Sequence, residues 1–128
     1  MQNFKTLFKY WKSIAITGVI LYLSFAPPSD FKGIPTFNNE DKLIHFLMYL
    51  ALSGLLIVDY TVVSIKKSNL KLMLLCLVSP AVLGGIIEIL QPLIAAPRTG
   101  SWLDWLADML GVLAGWWITK TILHKIRN

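Results

Sequence analysis

Four long apolar stretches account for most of this chain, and they decide what it can fold into. They cover residues 8–26, 43–63, 70–93 and 102–123. Each is close to the roughly 20 residues that a helix needs to cross the hydrocarbon core of a membrane. The chain is 55% hydrophobic and 15% charged, with a mean hydropathy of +0.63, so it has too little polar surface for a soluble globule. The sequence therefore predicts an all-α integral membrane protein, a four-helix bundle that forms one domain over residues 1–128.

Basic residues are distributed unevenly around these stretches. Nine of them lie before or at the beginning of the first stretch, in or beside the second connection, or near and beyond the end of the fourth stretch: Lys5, Lys9, Lys12, Lys66, Lys67, Lys71, Lys120, Lys125 and Arg127. Cytoplasmic segments of membrane proteins are enriched in Lys and Arg. This pattern predicts four crossings with both termini in the cytoplasm. No soluble basic face remains, so we expect no nucleic-acid partner.

The unusual polar residues of the last three stretches fall at the ends that this topology places outside. They are Asp41, Lys42, His45, Tyr49, Glu88, Gln91, Arg98, Ser101, Asp104 and Asp108. Ionisable groups at membrane depth are costly unless they pair or face a wet cavity, so each is a candidate for function. We expect them to converge on one layer, within about two helical turns of the outer surface.

Local spacing gives several of these residues a second interpretation. Asp41, His45 and Tyr49 share one helical stripe, since they are four residues apart. Asp41 is also expected to cap its helix, and His45 is as compatible with a structural role as with a functional one. Ser101 and Asp104 have the spacing of a capping box at the start of the fourth stretch.

Two features favour close helix packing. Pro80 and the pair Gly84-Gly85 can kink the third stretch, and Glu88 is expected to face inward because a charge against lipid costs roughly 2.5 to 3.5 kcal/mol. Gly111 and Gly115 have G-x-x-x-G spacing, which allows a neighbouring helix to approach within the chain or from a second copy. The spacing is therefore also compatible with a homo-oligomer that associates through these glycines.

Other residues are expected to have simpler roles. Asp59, near the opposite end of the second stretch, is expected to be solvated or paired with Lys66 or Lys67. Cys76 is the single cysteine and is expected to pack in the interior. The acids and His45 could hold a hard cation, but the sequence lacks the Cys or His density of a metal motif. We therefore predict no metal and no other cofactor.

Three segments together resemble the VanZ-like family of small bacterial membrane proteins. They read Asp41-Lys42-x-x-His45-Phe46-x-x-Tyr49, Glu88-x-x-Gln91 and Arg98-x-x-Ser101-x-x-Asp104-x-x-x-Asp108-x-x-Gly111-x-x-x-Gly115. One departure is Asp108, where the family frequently has asparagine. The resemblance implies a cell-envelope role in a bacterial cytoplasmic membrane, and the name-giving member is associated with resistance to the glycopeptide teicoplanin.

Four functions are compatible with these residues. The site could bind an envelope lipid, a cell-wall precursor or a lipoglycopeptide, with Arg98 on a phosphate or carboxylate. It could instead be an enzyme that uses Glu88 or Asp104 as acid or base, although Ser101 is the one evident nucleophile. A proton-coupled carrier is disfavoured because the charged layer stays near one face. The layer could also only lock the helices together. We favour binding to membrane lipids or a related ligand, and leave catalytic residues unassigned.

Overall fold

The computed structural model of the protein describes residues 2–26, 33, 40–64, 68–95 and 101–127. Within these residues every regular element is helical, which confirms the all-α prediction. The elements in chain order are α1 (Gln2–Phe8), α2 (Trp11–Phe25), α3 (Glu40–Val63), α4 (Asn69–Met73), a π-helical segment (Leu74–Val78), α5 (Ser79–Ile94) and α6 (Trp102–Arg127).

Three helices of the described chain are long and apolar enough to cross a membrane. They cover Glu40–Val63, Asn69–Ile94 and Trp102–Ile126. This length and composition support the prediction of a membrane protein. The helix α2 is apolar but has only 15 residues, which corresponds to about 22 Å at the usual helical rise. The fourth crossing and the orientation of the termini remain predictions.

The structure divides the first apolar stretch, which the sequence suggested as one helix over residues 8–26. Lys9 donates its backbone N–H to the Thr6 carbonyl at 3.1 Å, and Tyr10 donates to the Leu7 carbonyl at 3.0 Å. Bonds between residues three apart tighten the last turn of a helix. The helix α1 accordingly ends at Phe8, and a new helix begins beyond these turns.

Proline at position 80 explains the irregular part of the third apolar helix. Proline has no N–H and its ring crowds the carbonyl four residues earlier, which here belongs to Cys76 in the π-helical segment. The Ser53 hydroxyl on α3 donates to that carbonyl at 3.0 Å. A side chain from a neighbouring helix thus satisfies the acceptor that Pro80 leaves open.

The helices α3 and α6 share the most extensive contact in the described structure. A Cβ atom on Gly111 would clash with the Phe46 carbonyl, and one on Gly115 would clash with the Leu50 carbonyl. Both residue numbers rise together, so α3 and α6 run parallel. The predicted close packing at the glycines is therefore found within the chain. The contact within the chain explains both glycines without a second copy. The homo-oligomer therefore stays a prediction.

The apolar core lies between α2, α3, the π-helical segment, α5 and α6. Its most buried members include Ile20, Tyr49, Leu52, Ile57, Cys76, Ile87 and Val112. The helix α2 packs against both α3 and α5. The interior position of Cys76 agrees with the expected packing role.

Asp59 is buried beside this core, so the expectation that it is solvated is wrong. Its side chain is 0% exposed. One carboxylate oxygen lies 3.1 Å from the Lys12 ammonium group. The other accepts the Ser13 backbone N–H at 3.1 Å and the Ser13 hydroxyl at 2.7 Å. The alternative partners, Lys66 and Lys67, lie outside the described residues.

Candidate functional site

Polar side chains from three helices meet where α3 and α6 begin and where α5 ends. They meet there because α5 runs antiparallel to the other two helices. We call His45, Glu88, Asp104 and Asp108 the His45 cluster. Glu88 and Asp104 are 9% and 8% exposed, and Asp108 is 1% exposed. Residues that are more than 60 positions apart in sequence therefore share one enclosed site.

The shortest contact in the His45 cluster joins α3 to α6. His45 Nδ1 lies 2.7 Å from Asp108 Oδ1. An ionised carboxylate only accepts hydrogen bonds, so Nδ1 is the protonated nitrogen in such a pair. The other ring nitrogen, Nε2, faces Asp104 Oδ2 at 3.9 Å. The glycine contact between α3 and α6 brings the two backbones close enough for this arrangement.

Glu88 bridges from α5 to the first residue before α6. Its Oε2 accepts the Ser101 backbone N–H at 2.7 Å. A carboxylate is favourable there because the first N–H groups of a helix lack partners within the helix. The capping box expected between Ser101 and Asp104 is thus replaced by a bond from another helix, and Asp104 faces the cluster instead.

Lys42 provides the cationic group at the edge of the cluster. Its ammonium nitrogen lies 3.7 Å from Asp104 Oδ1 and 3.6 Å from Asp41 Oδ2. The Asp41 side chain is 57% exposed. Since α3 begins at Glu40, Asp41 lies inside the first turn and is not the cap that the sequence suggested.

Small and aromatic residues close the side of the site formed by α5. A Cβ atom on Gly84 would lie 2.7 Å from Asp108 Oδ2, so only glycine leaves room for this carboxylate against α5. The Trp105 indole N–H donates to the Ala81 carbonyl at 2.9 Å. The predicted close helix approach at the glycine pair of α5 is therefore found, and at Gly84 it leaves space for the Asp108 carboxylate of α6.

Three other predicted site residues have different surroundings. Gln91 donates its side-chain amide to the Ser24 carbonyl of α2 at 3.0 Å and is 4% exposed, so it ties two helices together. Tyr49 lies one turn beyond His45 and is 1% exposed, as part of the core. Arg98 lies outside the described residues.

The cluster is short of positive charge and of hydrogen-bond donors. Within the described residues, one buried oxygen of each acid lacks a hydrogen-bond partner: Glu88 Oε1, Asp104 Oδ1 and Asp108 Oδ2. Buried polar atoms are normally bonded, so each exception requires an explanation. Among the described residues, three carboxyl groups face one lysine and one histidine, so acidic groups outnumber basic ones even when His45 is protonated. The arrangement can accept a cation or a group that presents donors.

No protein-family model, curated protein or solved structure matches this chain. The interpretation of the site accordingly depends on its own residues and their geometry. The VanZ-like resemblance keeps the status of a prediction.

Proposed function

We propose that the His45 cluster binds the polar headgroup of an envelope amphiphile. The ligand would be a membrane lipid, a lipid-linked cell-wall precursor or a lipoglycopeptide. The observation that carries the proposal is the set of three buried carboxylates, each with an oxygen that lacks a hydrogen-bond partner among the described residues. Such oxygens are expensive to leave unpaired, and a bound group would satisfy them.

The proposed setting is the outer face of a bacterial cytoplasmic membrane, in a four-crossing bundle with cytoplasmic termini. Support comes from the described lysines outside the His45 end. Six of them lie on α1, in the turn that follows it, on α2, on α4 and on the last part of α6: Lys5, Lys9, Lys12, Lys71, Lys120 and Lys125. Because Lys and Arg favour the cytoplasmic side, the His45 cluster would face outward and would be accessible to outer-leaflet headgroups.

The VanZ-like resemblance agrees with this proposal. Its pattern runs from Asp41 to Gly115 and includes all four residues of the His45 cluster. We therefore propose that the chain is a VanZ-like protein and that it contributes to teicoplanin-type resistance. No reaction is assigned, since a binding function needs no nucleophile.

A packing role is the competing explanation, and two contacts favour it. The His45 to Asp108 bond joins α3 to α6, and the Glu88 to Ser101 bond joins α5 to α6. If the cluster only locks helices, neutral substitutions will lower the amount of folded protein. If the cluster binds a ligand, the same substitutions will leave folded protein that has lost its activity.

Expression in a teicoplanin-sensitive bacterium tests the proposal. The wild type would be compared with Glu88→Gln, Asp104→Asn and Arg98→Ala, and His124→Ala at the opposite end of α6 would be the control. Drug susceptibility and the amount of protein in the membrane would be measured in the same cultures. We expect the wild type and the control to protect, and the three variants to fail at equal abundance.

Two results would contradict this expectation. Loss of protection in proportion to lost protein would assign the cluster to packing. A wild type that gives no protection at normal abundance would remove the resistance role.

A further inference from the structure

We infer that the His45 cluster holds a divalent metal cation, with His45, Glu88 and Asp104 as its ligands. The inference extends the proposed headgroup site and depends on it for its biological role. A bound cation would satisfy the acids, although the sequence contains no recognised metal-binding motif. The inference is based on the donor geometry, on the partner of His45 and on the charge of the cluster.

The three residues offer donor atoms at a spacing near that of a metal site. One ligand atom from each of His45, Glu88 and Asp104 lies within 4.8 Å of the others. Bonds from Zn²⁺ to nitrogen or oxygen are ~2.0 to 2.2 Å long, so two ligand atoms of a tetrahedral site are about 3.3 to 3.6 Å apart. The widest pair must therefore close by up to about 1.5 Å, which rotation of the carboxylate side chains can provide.

Asp108 accepts the hydrogen bond that a metal-binding histidine usually donates from its other ring nitrogen. Histidine ligands usually donate their other ring N–H to a carboxylate, which fixes the tautomer and the ring orientation. His45 Nδ1 lies 2.7 Å from Asp108 Oδ1, and Nε2 faces Asp104 Oδ2 at 3.9 Å. The nitrogen that remains available is therefore the one directed at a second ligand.

Glu88 is the observation that separates this site from an ordinary acidic group. Its side chain is 9% exposed, and the Ser101 N–H fixes Oε2 at 2.7 Å. The other oxygen, Oε1, has no hydrogen-bond partner among the described residues and lies 3.9 Å from His45 Nδ1. A buried oxygen without a hydrogen-bond partner is a suitable metal ligand once it turns from Nδ1, which Asp108 already engages, toward Nε2. A charge of +2 would also offset the excess of carboxylates that Lys42 leaves.

A cation explains how an acidic site can recognise an anionic headgroup. Three protein ligands leave a coordination position of a Zn²⁺-type site open for water or another donor. A phosphate or carboxylate oxygen of the proposed amphiphile can occupy that position, whereas the acids alone would repel it. A headgroup amine that pairs directly with the acids is the competing arrangement, and it needs no metal.

Metal titration of the purified full chain tests the inference. The protein would carry an affinity tag without histidine, would be stripped with a chelator in detergent, and would then be titrated with ZnCl₂ by calorimetry and by elemental analysis. We expect one Zn²⁺ per chain. Substitutions His45→Ala and Glu88→Gln should abolish binding, and Asp108→Asn should weaken it by about 10- to 100-fold, as is usual when the partner that orients a ligating histidine is changed.

The chain offers a matched control, because it has two histidines in all, His45 and His124. His124 lies near the end of α6, far along the helix from Asp104, and His124→Ala should bind Zn²⁺ like the wild type. Thermal unfolding tests the same site in folded protein. Zn²⁺ should raise the midpoint of the wild type and of His124→Ala, since a ligand of the native state stabilises it, and should leave that of Glu88→Gln unchanged.

The inference is overturned if the wild type binds no more Zn²⁺ than His45→Ala, or if His124→Ala removes the binding. Lipid retention in excess chelator separates it from the proposed function. If Zn²⁺ fails to bind while an envelope lipid is retained, the cation inference alone is wrong and a direct headgroup contact replaces it. If Zn²⁺ binds and no amphiphile is retained, the headgroup proposal alone is wrong.

Discussion

The two buried polar sites of this protein differ in how completely their acids are satisfied. At one end of α3, Asp59 stands alone as an acid, and both of its oxygens are bonded by Lys12 and Ser13. At the other end, three acids share His45 and a lysine at 3.7 Å, and each acid keeps an oxygen without a hydrogen-bond partner among the described residues. In the described part of the chain, the acid of the first site is matched in charge and in hydrogen bonds, whereas the acids of the second site outnumber their basic partners and are not fully hydrogen-bonded.

This difference separates a site that holds helices together from one that can bind a ligand. A buried acid that serves only packing gains most when its charge and all its hydrogen bonds are matched. A binding site keeps unsatisfied groups for its ligand and loses some stability as a result. On this reasoning Asp59 fastens α2 to α3, and the His45 cluster serves binding.

The largest expected effect is at the satisfied site. Asp59→Asn should lower the free energy of unfolding by about 3 kcal/mol, the low end for breaking a buried pair, because the Lys12 side chain is 36% exposed. Reversible unfolding in mixed micelles measures this change. If Asp59→Asn lowers the free energy of unfolding by less than a neutral substitution in the His45 cluster does, the His45 cluster is the site that stabilises the fold.

The next effect concerns the contact that positions the cluster. Gly111→Ala should cost about 2 kcal/mol, within the usual range for overpacking, because its Cβ atom would meet the Phe46 carbonyl. The matched control is Gly18→Ala on α2, where no atom of another described element lies within 4 Å of the added Cβ. The control should be neutral or more stable, since alanine favours helix by up to about 1 kcal/mol. Equal losses in both unfolding measurements would show that the α3 to α6 approach is not tight.

Glu88→Gln should have a smaller effect on the metal-free protein. The amide oxygen can still accept the Ser101 N–H, and the substitution removes one of three neighbouring negative charges. We expect the free energy of unfolding to stay within about 1 kcal/mol of the wild type, in the range of one hydrogen bond. Chelator-treated samples unfolded side by side provide the measurement. A cost close to that of Asp59→Asn would make the His45 cluster a packing device.

The smallest effect is expected at the exposed edge of the cluster. Asp41→Asn removes an acid whose side chain is 57% exposed and whose contact with Lys42 is 3.6 Å. Exposed ion pairs contribute below about 1 kcal/mol, so unfolding should change by less than that. The variant also serves as a control for the general loss of one negative charge. If Asp41→Asn lowers the free energy of unfolding by more than Glu88→Gln does, the exposed ion pair of Asp41 with Lys42 matters more for stability than the buried Glu88 carboxylate.

Patterns within single helices could be predicted from the sequence. The apolar lengths predicted membrane helices over residues 43–63, 70–93 and 102–123, and the structure has apolar helices of sufficient length over Glu40–Val63, Asn69–Ile94 and Trp102–Ile126. The alternating direction of the helices predicted His45, Glu88 and Asp108 at one end of the bundle, and the structure brings these residues together. Both inferences depend only on helical length, spacing and direction.

Contacts between helices could not be predicted from the sequence patterns. Nothing in the local sequence indicates that Asp59 pairs with Lys12 across two helices, because solvent and a nearby lysine loop explain an interfacial acid equally well. The capping-box spacing at Ser101 was similarly ambiguous, since a capping N–H accepts any suitably placed carboxylate, and Glu88 occupies that position. Pro80 did signal an irregular helix, but not that Ser53 would satisfy the Cys76 carbonyl.

The central claim is that the His45 cluster binds a ligand, and native mass spectrometry of the protein extracted from bacterial membranes tests it most directly. Wild type and Glu88→Gln would be purified in the same mild detergent, with yield and retained amphiphiles measured together. The account predicts equal yields, an envelope amphiphile bound to the wild type, and its loss from Glu88→Gln. A poor yield of Glu88→Gln with the same amphiphiles retained as in the wild type would contradict it.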